Sequence, residues 1–185
     1  MKKVNRSRFA LLGLLGLQPM TGYEIKGWIA ESIGYFWSES YGQIYPQLKK
    51  LVTDGLARVE AVPDEARTKK RYHITEAGRE ALETWLKEPT PPVPLRLEFL
   101  LKIFFGHQTE VAHTVDLLRH EAEQAQELET ALEAIQARFD QNCDPTLPVN
   151  QMSLITIDYG LGLARHTRTW AEASLKRLQT QTPEE

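Results

Sequence analysis

Gln43, Tyr45, Lys49 and Lys50 fall in one stretch, Ser40-Tyr41-Gly42-Gln43-Ile44-Tyr45-Pro46-Gln47-Leu48-Lys49-Lys50-Leu51, whose polar members suit contact with a nucleic-acid duplex. A glutamine amide pairs two-fold with adenine, and a lysine ammonium meets phosphate or guanine. An exposed tyrosine or proline packs on a thymine methyl or a sugar. Ile44, Leu48 and Leu51 recur at i, i+4 and i+7, so they form the buried side of a helix, and Gln43, Tyr45, Pro46, Lys49 and Lys50 must point elsewhere. A Lys-Lys pair on a helix is by itself a common solvated face. A second basic group shifts the balance. Arg67, Lys69, Lys70 and Arg71 place four cations in five positions beside a polar connection, Pro63 to Thr68. Such a tip reaches a phosphate backbone or a minor groove next to a docked helix. Alone, it would also serve to keep an edge strand from pairing with other chains.

The elements needed to hold these groups are visible upstream and downstream. Phe9, Leu11, Leu12, Leu14, Leu15 and Leu17 form a short apolar helix that ends near Gln18-Pro19. Thr21 and Glu24, three apart, make a capping box for a second helix carrying Ile25, Ile29 and Ile33. Gly34 and Tyr35-Phe36-Trp37 turn the chain toward the third helix, Ser40 to Lys50. Pro46 lies beyond the first turn of that helix and is expected to perturb it or to move its start later. After Asp54-Gly55-Leu56 the period changes from 3.6 to 2. Ala57, Val59 and Ala61 alternate with Arg58, Glu60 and Val62, then Lys70, Tyr72 and Ile74 alternate with Lys69, Arg71 and His73, which predicts a hairpin. Thr75 caps a helix with Ala77, Ala81, Leu82 and Trp85 that runs to Lys87 before a proline-rich run. The order is a winged helix-turn-helix with a helical exit.

These residues also resemble a family. Leu12-Gly13-Leu14-Leu15, Pro19 with Gly22-Tyr23-Glu24-Ile25, Gly42-Gln43-Ile44-Tyr45-Pro46-Gln47-Leu48, Gly55-Leu56, Arg71-Tyr72 and Thr75-Glu76-Ala77-Gly78 with Trp85 together resemble the PadR family of bacterial transcriptional regulators. The likeness covers roughly the first half of the chain. It implies a dimeric repressor whose winged heads bind a palindromic operator. It places Tyr23, Ser40, Gln43, Tyr45, Pro46 and Lys49 toward DNA and Lys69 to Arg71 on the wing.

Charge divides the chain in the same way. Residues 1 to 87 hold 14 Lys and Arg against 10 Asp and Glu, a net of +4; residues 88 to 185 hold 8 against 15, a net of −7. The near-neutral total of −3 hides a basic head and an acidic tail half. The expected domains are a winged helix-turn-helix over 1–88, a proline-rich hinge over 89–94, and a helical dimerisation and effector region over 95–185. The fold class is mostly α with a small β-hairpin. No run of about 18 apolar residues is present, which argues against a transmembrane helix and a membrane partner. Met1-Lys2-Lys3 and the apolar helix after it imitate a secretion signal, yet they lead into Pro19 and a capped helix rather than a cleavage site. The single Cys143 suits a reducing cytoplasm, with no nearby cation to activate the thiol.

In the second half Val111, Val115, Leu118, Ala122, Ala125, Leu128, Leu132, Ile135 and Phe139 repeat at spacings of three and four, with Glu110, Glu121, Glu123, Glu127, Glu129 and Glu133 on a wet face. This predicts a helix of roughly 45 Å. Beyond Asn142 to Pro148 a second helix carries Leu154, Ile157, Leu161, Ala164, Ala171, Leu175 and Leu178. Stripes this long call for a partner surface. A second copy of the chain, giving a homodimer, is favoured over folding back onto the head. The apolar run Leu95 to Phe105 is expected to be buried where head and dimer helices meet. Trp85, Phe99, Phe104, Tyr159 and Trp170 would there line a site for a small aromatic or lipophilic effector, though aromatics at helical spacing also serve as plain core. Enzyme chemistry finds no support. His107, His113, His120 and His166 lack metal-ligand spacing, no phosphate loop or nucleophile elbow occurs, and no metal or cofactor is implied. The reading is a DNA-binding regulator. Its alternative is a winged-helix dimer whose head binds a protein through Tyr45 and Trp37, for which affinity would depend only weakly on salt.

Overall fold

The structure, a computed structural model, describes residues 6–62, 69–92 and 94–180. The chain divides into two compact units, Met1–Pro92 and Val93–Glu185. In the first, α1 (Ser7–Leu17) is followed by β1 (Met20–Thr21), α2 (Gly22–Glu31), α3 (Tyr41–Thr53), β2 (Ala57–Val62), β3 (Lys69–Ile74) and α4 (Glu76–Lys87). Its core gathers Leu11, Leu12 and Leu15 of α1, Ile25 and Ile29 of α2, Ile44, Leu48 and Leu51 of α3, and Met20, Ala57 and Tyr72 of the strands. Trp85 of α4 closes it by stacking on Phe9, ring centroids 4.6 Å apart. The helical spacing of Ile25 and Ile29 in α2 and of Ile44, Leu48 and Leu51 in α3 thus converts into buried faces, while Ile33 falls beyond the end of α2.

The strands form a three-stranded antiparallel sheet in the order β1-β3-β2. The hairpin pairs Ala57 with Ile74 through Val62 with Lys69. The third strand was not expected. It is only two residues long and exists because Met20 and Thr21 pair with Tyr72 and Arg71, some fifty residues away. The end of α3 sets the hairpin's starting direction. Gly55 takes a φ of +74°, Leu56 N–H donates to Leu51 O and Gly55 N–H donates to Val52 O, which completes a Schellman turn. Thr75 then ties α4 back to that turn. Its N–H donates to Leu56 O, its hydroxyl donates to Gly55 O at 2.7 Å, and its Oγ1 accepts the Gly78 N–H.

Pro46 does not displace the start of α3, contrary to expectation; the helix runs unbroken through it from Tyr41. The proline removes one hydrogen bond, to the carbonyl of Gly42, and Gly42 is exposed, so water can take that carbonyl.

The second unit holds α5 (Glu98–Phe104), a single 3-10 turn (Gly106–Gln108), and two long helices, α6 (Val111–Asn142) and α7 (Pro148–Thr180). Leu118, Ala125 and Leu132 of α6 and Ile157, Leu161, Ala164 and Ala171 of α7 are buried. Glu129 corrects the expectation that all the glutamates of α6 are wet. It is only 6% exposed, with Oε1 accepting from Arg165 Nε at 2.8 Å and Oε2 from Arg168 Nε at 3.0 Å. These two guanidiniums hold its carboxyl below the usual glutamate range, the Arg165 hydrogen bond being the largest cause. The run from Leu95 to Phe105 corrects a second expectation. Leu95 is 81% exposed, and Leu97, Leu100, Leu101, Phe104 and Phe105 are exposed too. Among the described residues no helix is long and apolar enough to cross a membrane.

Candidate nucleic-acid interface

Three elements converge on one concave surface of the first unit: the N-terminus of α2, the outer side of α3, and the root of the β2–β3 wing. A cavity of about 650 Å³ lies there, lined by Thr21, Gly22, Tyr23, Glu24, Tyr45, Lys69, Lys70 and Arg71. Five residues singled out from sequence, Tyr23, Tyr45, Lys69, Lys70 and Arg71, are therefore brought together although they span nearly fifty positions.

The core face of α3 fixes what its other faces present. With Ile44, Leu48 and Leu51 fully inside, Tyr41, Gln43, Tyr45, Pro46, Lys49 and Lys50 are all exposed. Tyr41, Tyr45 and Lys49 form one row at i, i+4, i+8; Gln43, Gln47 and Lys50 form the neighbouring row. The rings of Tyr41 and Tyr45 lie 6.3 Å apart and nearly parallel. Tyr45 also lies across Gly22. A β-carbon at Gly22 would stand 2.6 Å from Tyr45 Cε1 and 2.8 Å from Cζ, so this approach requires glycine. Sequence reasoning named Gly22 only as part of the motif Gly22-Tyr23-Glu24-Ile25 and gave it no role at the site.

Ser40 and Gln43 are coupled to each other. Gln43 Oε1 accepts the Ser40 N–H at 2.9 Å and the Ser40 hydroxyl at 3.0 Å, the reciprocal contact of a capping box. The carbonyl end of Gln43 thus holds the helix start, and the amide –NH₂ remains to face outward. The spacing Ser-x-x-Gln carries that signal in the sequence. One residue earlier, Glu39 is buried: its Oε1 accepts the Trp37 indole N–H at 3.0 Å, and its backbone carbonyl accepts from Lys26 Nζ at 2.7 Å. Lys26 is therefore engaged inside the head, and the chain entering α3 is anchored on α2.

On the wing side, Lys69 and Lys70 are exposed and Arg71 is half-buried. Arg67 lies outside the described residues. Arg71 Nη1 donates to Pro19 O at 2.9 Å and Nη2 to Glu24 Oε1 at 3.1 Å. Glu24 uses its other oxygen to accept the Thr21 N–H at 2.6 Å, while Thr21 Oγ1 accepts the Glu24 N–H at 3.2 Å. The Thr21 backbone hydrogen bond is the main cause that holds the Glu24 carboxyl below its usual range; burial opposes it, and the Thr21 hydroxyl and Arg71 add to it. Burial raises the Tyr72 phenol, and Tyr45 adds to that rise.

The aromatic residues expected to receive an effector are placed as follows. Trp85 is the core partner of Phe9 in the first unit. In the second unit Phe99 meets Trp170 with ring centroids 5.8 Å apart, Phe104 sits edge-on to Phe105, and Phe104 and Tyr159 are 74% and 71% exposed. A groove of about 660 Å³ runs along Leu95, Leu97, Leu100, Leu101 and Phe104, with Arg96 and Glu98 at its edge.

Comparisons with known proteins bear on both units. Residues 11–84 match the profile described as Transcriptional regulator PadR-like family, and residues 95–179 match the one described as Virulence activator alpha C-term. The negative transcriptional regulator PadR of Bacillus subtilis (strain 168) is 31% identical over 155 residues, covering 83% of this chain and 82% of that protein. The crystal structure of Bacillus subtilis PadR in complex with operator DNA superposes with a TM-score of 0.84 at 26% identity, covering 95% of this chain and 99% of that one. The crystal structure of the same protein in complex with p-coumaric acid gives a TM-score of 0.77 at 27% identity, covering 97% and 99%.

Proposed function

Because the chain belongs to the PadR-like family of transcriptional regulators, we propose that it is a repressor that binds a palindromic operator as a homodimer and responds to a small aromatic or lipophilic effector. The observation that carries the DNA reading is the single concave surface on which α3, the α2 N-terminus and the wing meet. Its polar groups are those that duplex recognition uses, and its regulator relatives are not enzymes. In this reading α3 enters the major groove. Gln43 reads a base edge through its amide, Lys49 and Lys50 meet phosphate or guanine, and Tyr23, Tyr45, Ser40 and Pro46 pack on backbone or methyl groups. Lys69, Lys70 and Arg71, with Arg67, make up the basic flank.

Support for a homodimer comes from α7. Val149, Met152, Ile155, Tyr159 and Leu163 follow one another at helical spacing and are all exposed, a continuous apolar stripe of the kind that marks an interaction surface. Ile155→Asp is expected to shift the protein from dimer to monomer in sedimentation velocity and to weaken operator binding with it; an unchanged sedimentation coefficient refutes this interface. Support for an effector comes from the PadR structure with p-coumaric acid together with the Phe99–Trp170 contact in the helical unit.

The deciding experiment titrates the purified protein onto a labelled duplex from its own upstream region, from low to moderate salt, against excess random-sequence DNA. Nanomolar affinity that survives competitor is expected. Gln43→Ala relaxes sequence preference, and Lys70→Ala weakens all DNA about equally. Weak binding removed equally by any DNA overturns the operator reading and puts a protein partner in its place.

A further inference from the structure

Arg71 is already held within the head. Its two terminal nitrogens are spent on two acceptors of the head, the Pro19 carbonyl and Glu24 Oε1. The charge of Arg71 is thereby matched within the protein, in a pair whose two side chains are each about 40% exposed. Glu24 in turn is fixed by the α2 cap, so the guanidinium is tied to the start of the helix on which Tyr23 stands and against which Tyr45 packs. Ala57 and Tyr72 anchor the base of the wing in the core, and Arg71 adds a polar tie on its outer side. Six residue pairs make β2 and β3 a stiff ribbon, but only two pairs join that ribbon to β1. Lys69 lies two residues beyond Arg71, about 7 Å along the strand at 3.3 Å per residue, so a tilt of about 10° at the root moves it by about 1 Å.

We propose that Arg71 is a positioning residue rather than a phosphate ligand: with Glu24 and the Pro19 carbonyl it forms a latch that sets the angle of the basic wing against α2 and α3. The inference rests on the DNA-binding reading of the same surface and specifies how part of it works. Arginine suits the latch because its planar guanidinium offers one terminal nitrogen to each acceptor in a fixed fork, whereas the compact ammonium of lysine, on a flexible stem, sets no such geometry. Glu24 is required although it places a negative charge beside the DNA-facing surface. Its charge is matched by Arg71 and its second oxygen holds the α2 cap, so one carboxylate serves both the helix start and the wing.

The test compares full-length wild type with Lys70→Ala, Arg71→Gln, Arg71→Lys, Glu24→Gln and the Glu24→Gln/Arg71→Gln double variant. Affinity for the upstream duplex and for a random-sequence duplex is read against salt, with thermal unfolding of each variant as control. Each phosphate ligand contributes about 0.9 to the slope of log K against log salt. Lys70→Ala loses that increment. Arg71→Gln and Arg71→Lys each lose about fivefold in affinity at unchanged slope, Glu24→Gln loses a similar factor, and the double variant is no weaker than Arg71→Gln alone. Glu24→Gln keeps an oxygen for the Thr21 N–H, so α2 remains capped and this variant carries the test if an Arg71 variant unfolds.

Three results overturn the latch: a slope shallower by about 0.9 in Arg71→Gln with full recovery in Arg71→Lys, which is the behaviour of a phosphate ligand; tighter binding by Glu24→Gln, which is simple relief of repulsion; or wild-type affinity in all three variants. Loss of preference for the upstream duplex in the wild type itself refutes the operator reading instead, and the slopes on random-sequence DNA then still decide the latch. No binding of wild type to any DNA refutes both.

Discussion

Gly22→Ala separates recognition from stability in a way the structure makes quantitative. The new methyl would stand 2.6 Å from Tyr45 Cε1, and ordinary contact begins at 3.4 Å, so the ring must retreat by about 0.8 Å or rotate away. Tyr45 is 47% exposed and has solvent to move into. The fold therefore loses only part of one ring contact, about 1 kcal/mol, and regains up to about 1 kcal/mol because alanine restricts the unfolded chain. Net stability should change by less than about 1 kcal/mol, which thermal unfolding followed by circular dichroism will read as a shift of a few degrees. Operator affinity should fall about tenfold, or about 1.4 kcal/mol, because Tyr45 leaves the place from which it meets the duplex. Fluorescence anisotropy with a labelled operator measures this, and Tyr45→Ala supplies the second arm. If the glycine acts through the ring, Gly22→Ala adds nothing to Tyr45→Ala. Full affinity in Gly22→Ala, or equal further loss in the double variant, refutes the reasoning.

Gly78→Ala should do the opposite. Its methyl would meet the Leu56 carbonyl oxygen at 2.1 Å and Ile74 Cγ1 at 2.9 Å, and that oxygen is held in place by the Thr75 N–H. A cost of about 3 kcal/mol outweighs the gain in helix propensity, and the first unit should melt well below wild type in calorimetry. Acid should weaken the Glu24 latch. Its carboxyl is held below the usual range, so the group contributes stability above its unfolded pKa and loses it as pH falls through the lower folded value. The difference in melting temperature between wild type and Glu24→Gln should thus be constant near neutrality and shrink below about pH 4; a difference that grows on acidification contradicts this assignment.

What the sequence disclosed and what it withheld differ by range of interaction. The α2 cap, the buried face of α3, the change of period at Gly55 and the Thr75 cap are decided within a few residues of each other, so spacing alone reveals them. The strand β1 is invisible to the same procedure. Two residues have no period, and Met20 becomes strand only because Tyr72 lies beside it. Glu129 shows the limit again: its place four after Ala125 and three before Leu132 puts it on the buried stripe, but the two arginines that match its charge lie 36 and 39 residues later, where spacing cannot see them. The same limit shapes the candidate interface. Sequence nominated Arg67, Lys69, Lys70 and Arg71 as one basic cluster, since charge is all that spacing can see. The fold sets Arg71 apart from Lys70 by giving it acceptors 47 and 52 positions away. A basic residue's function is therefore set less by its own charge than by whether the folded chain has already used it. That rule makes Lys70, with no carboxylate partner among the described residues, the position where salt dependence should be lost, and Arg71 the position where affinity should fall without it.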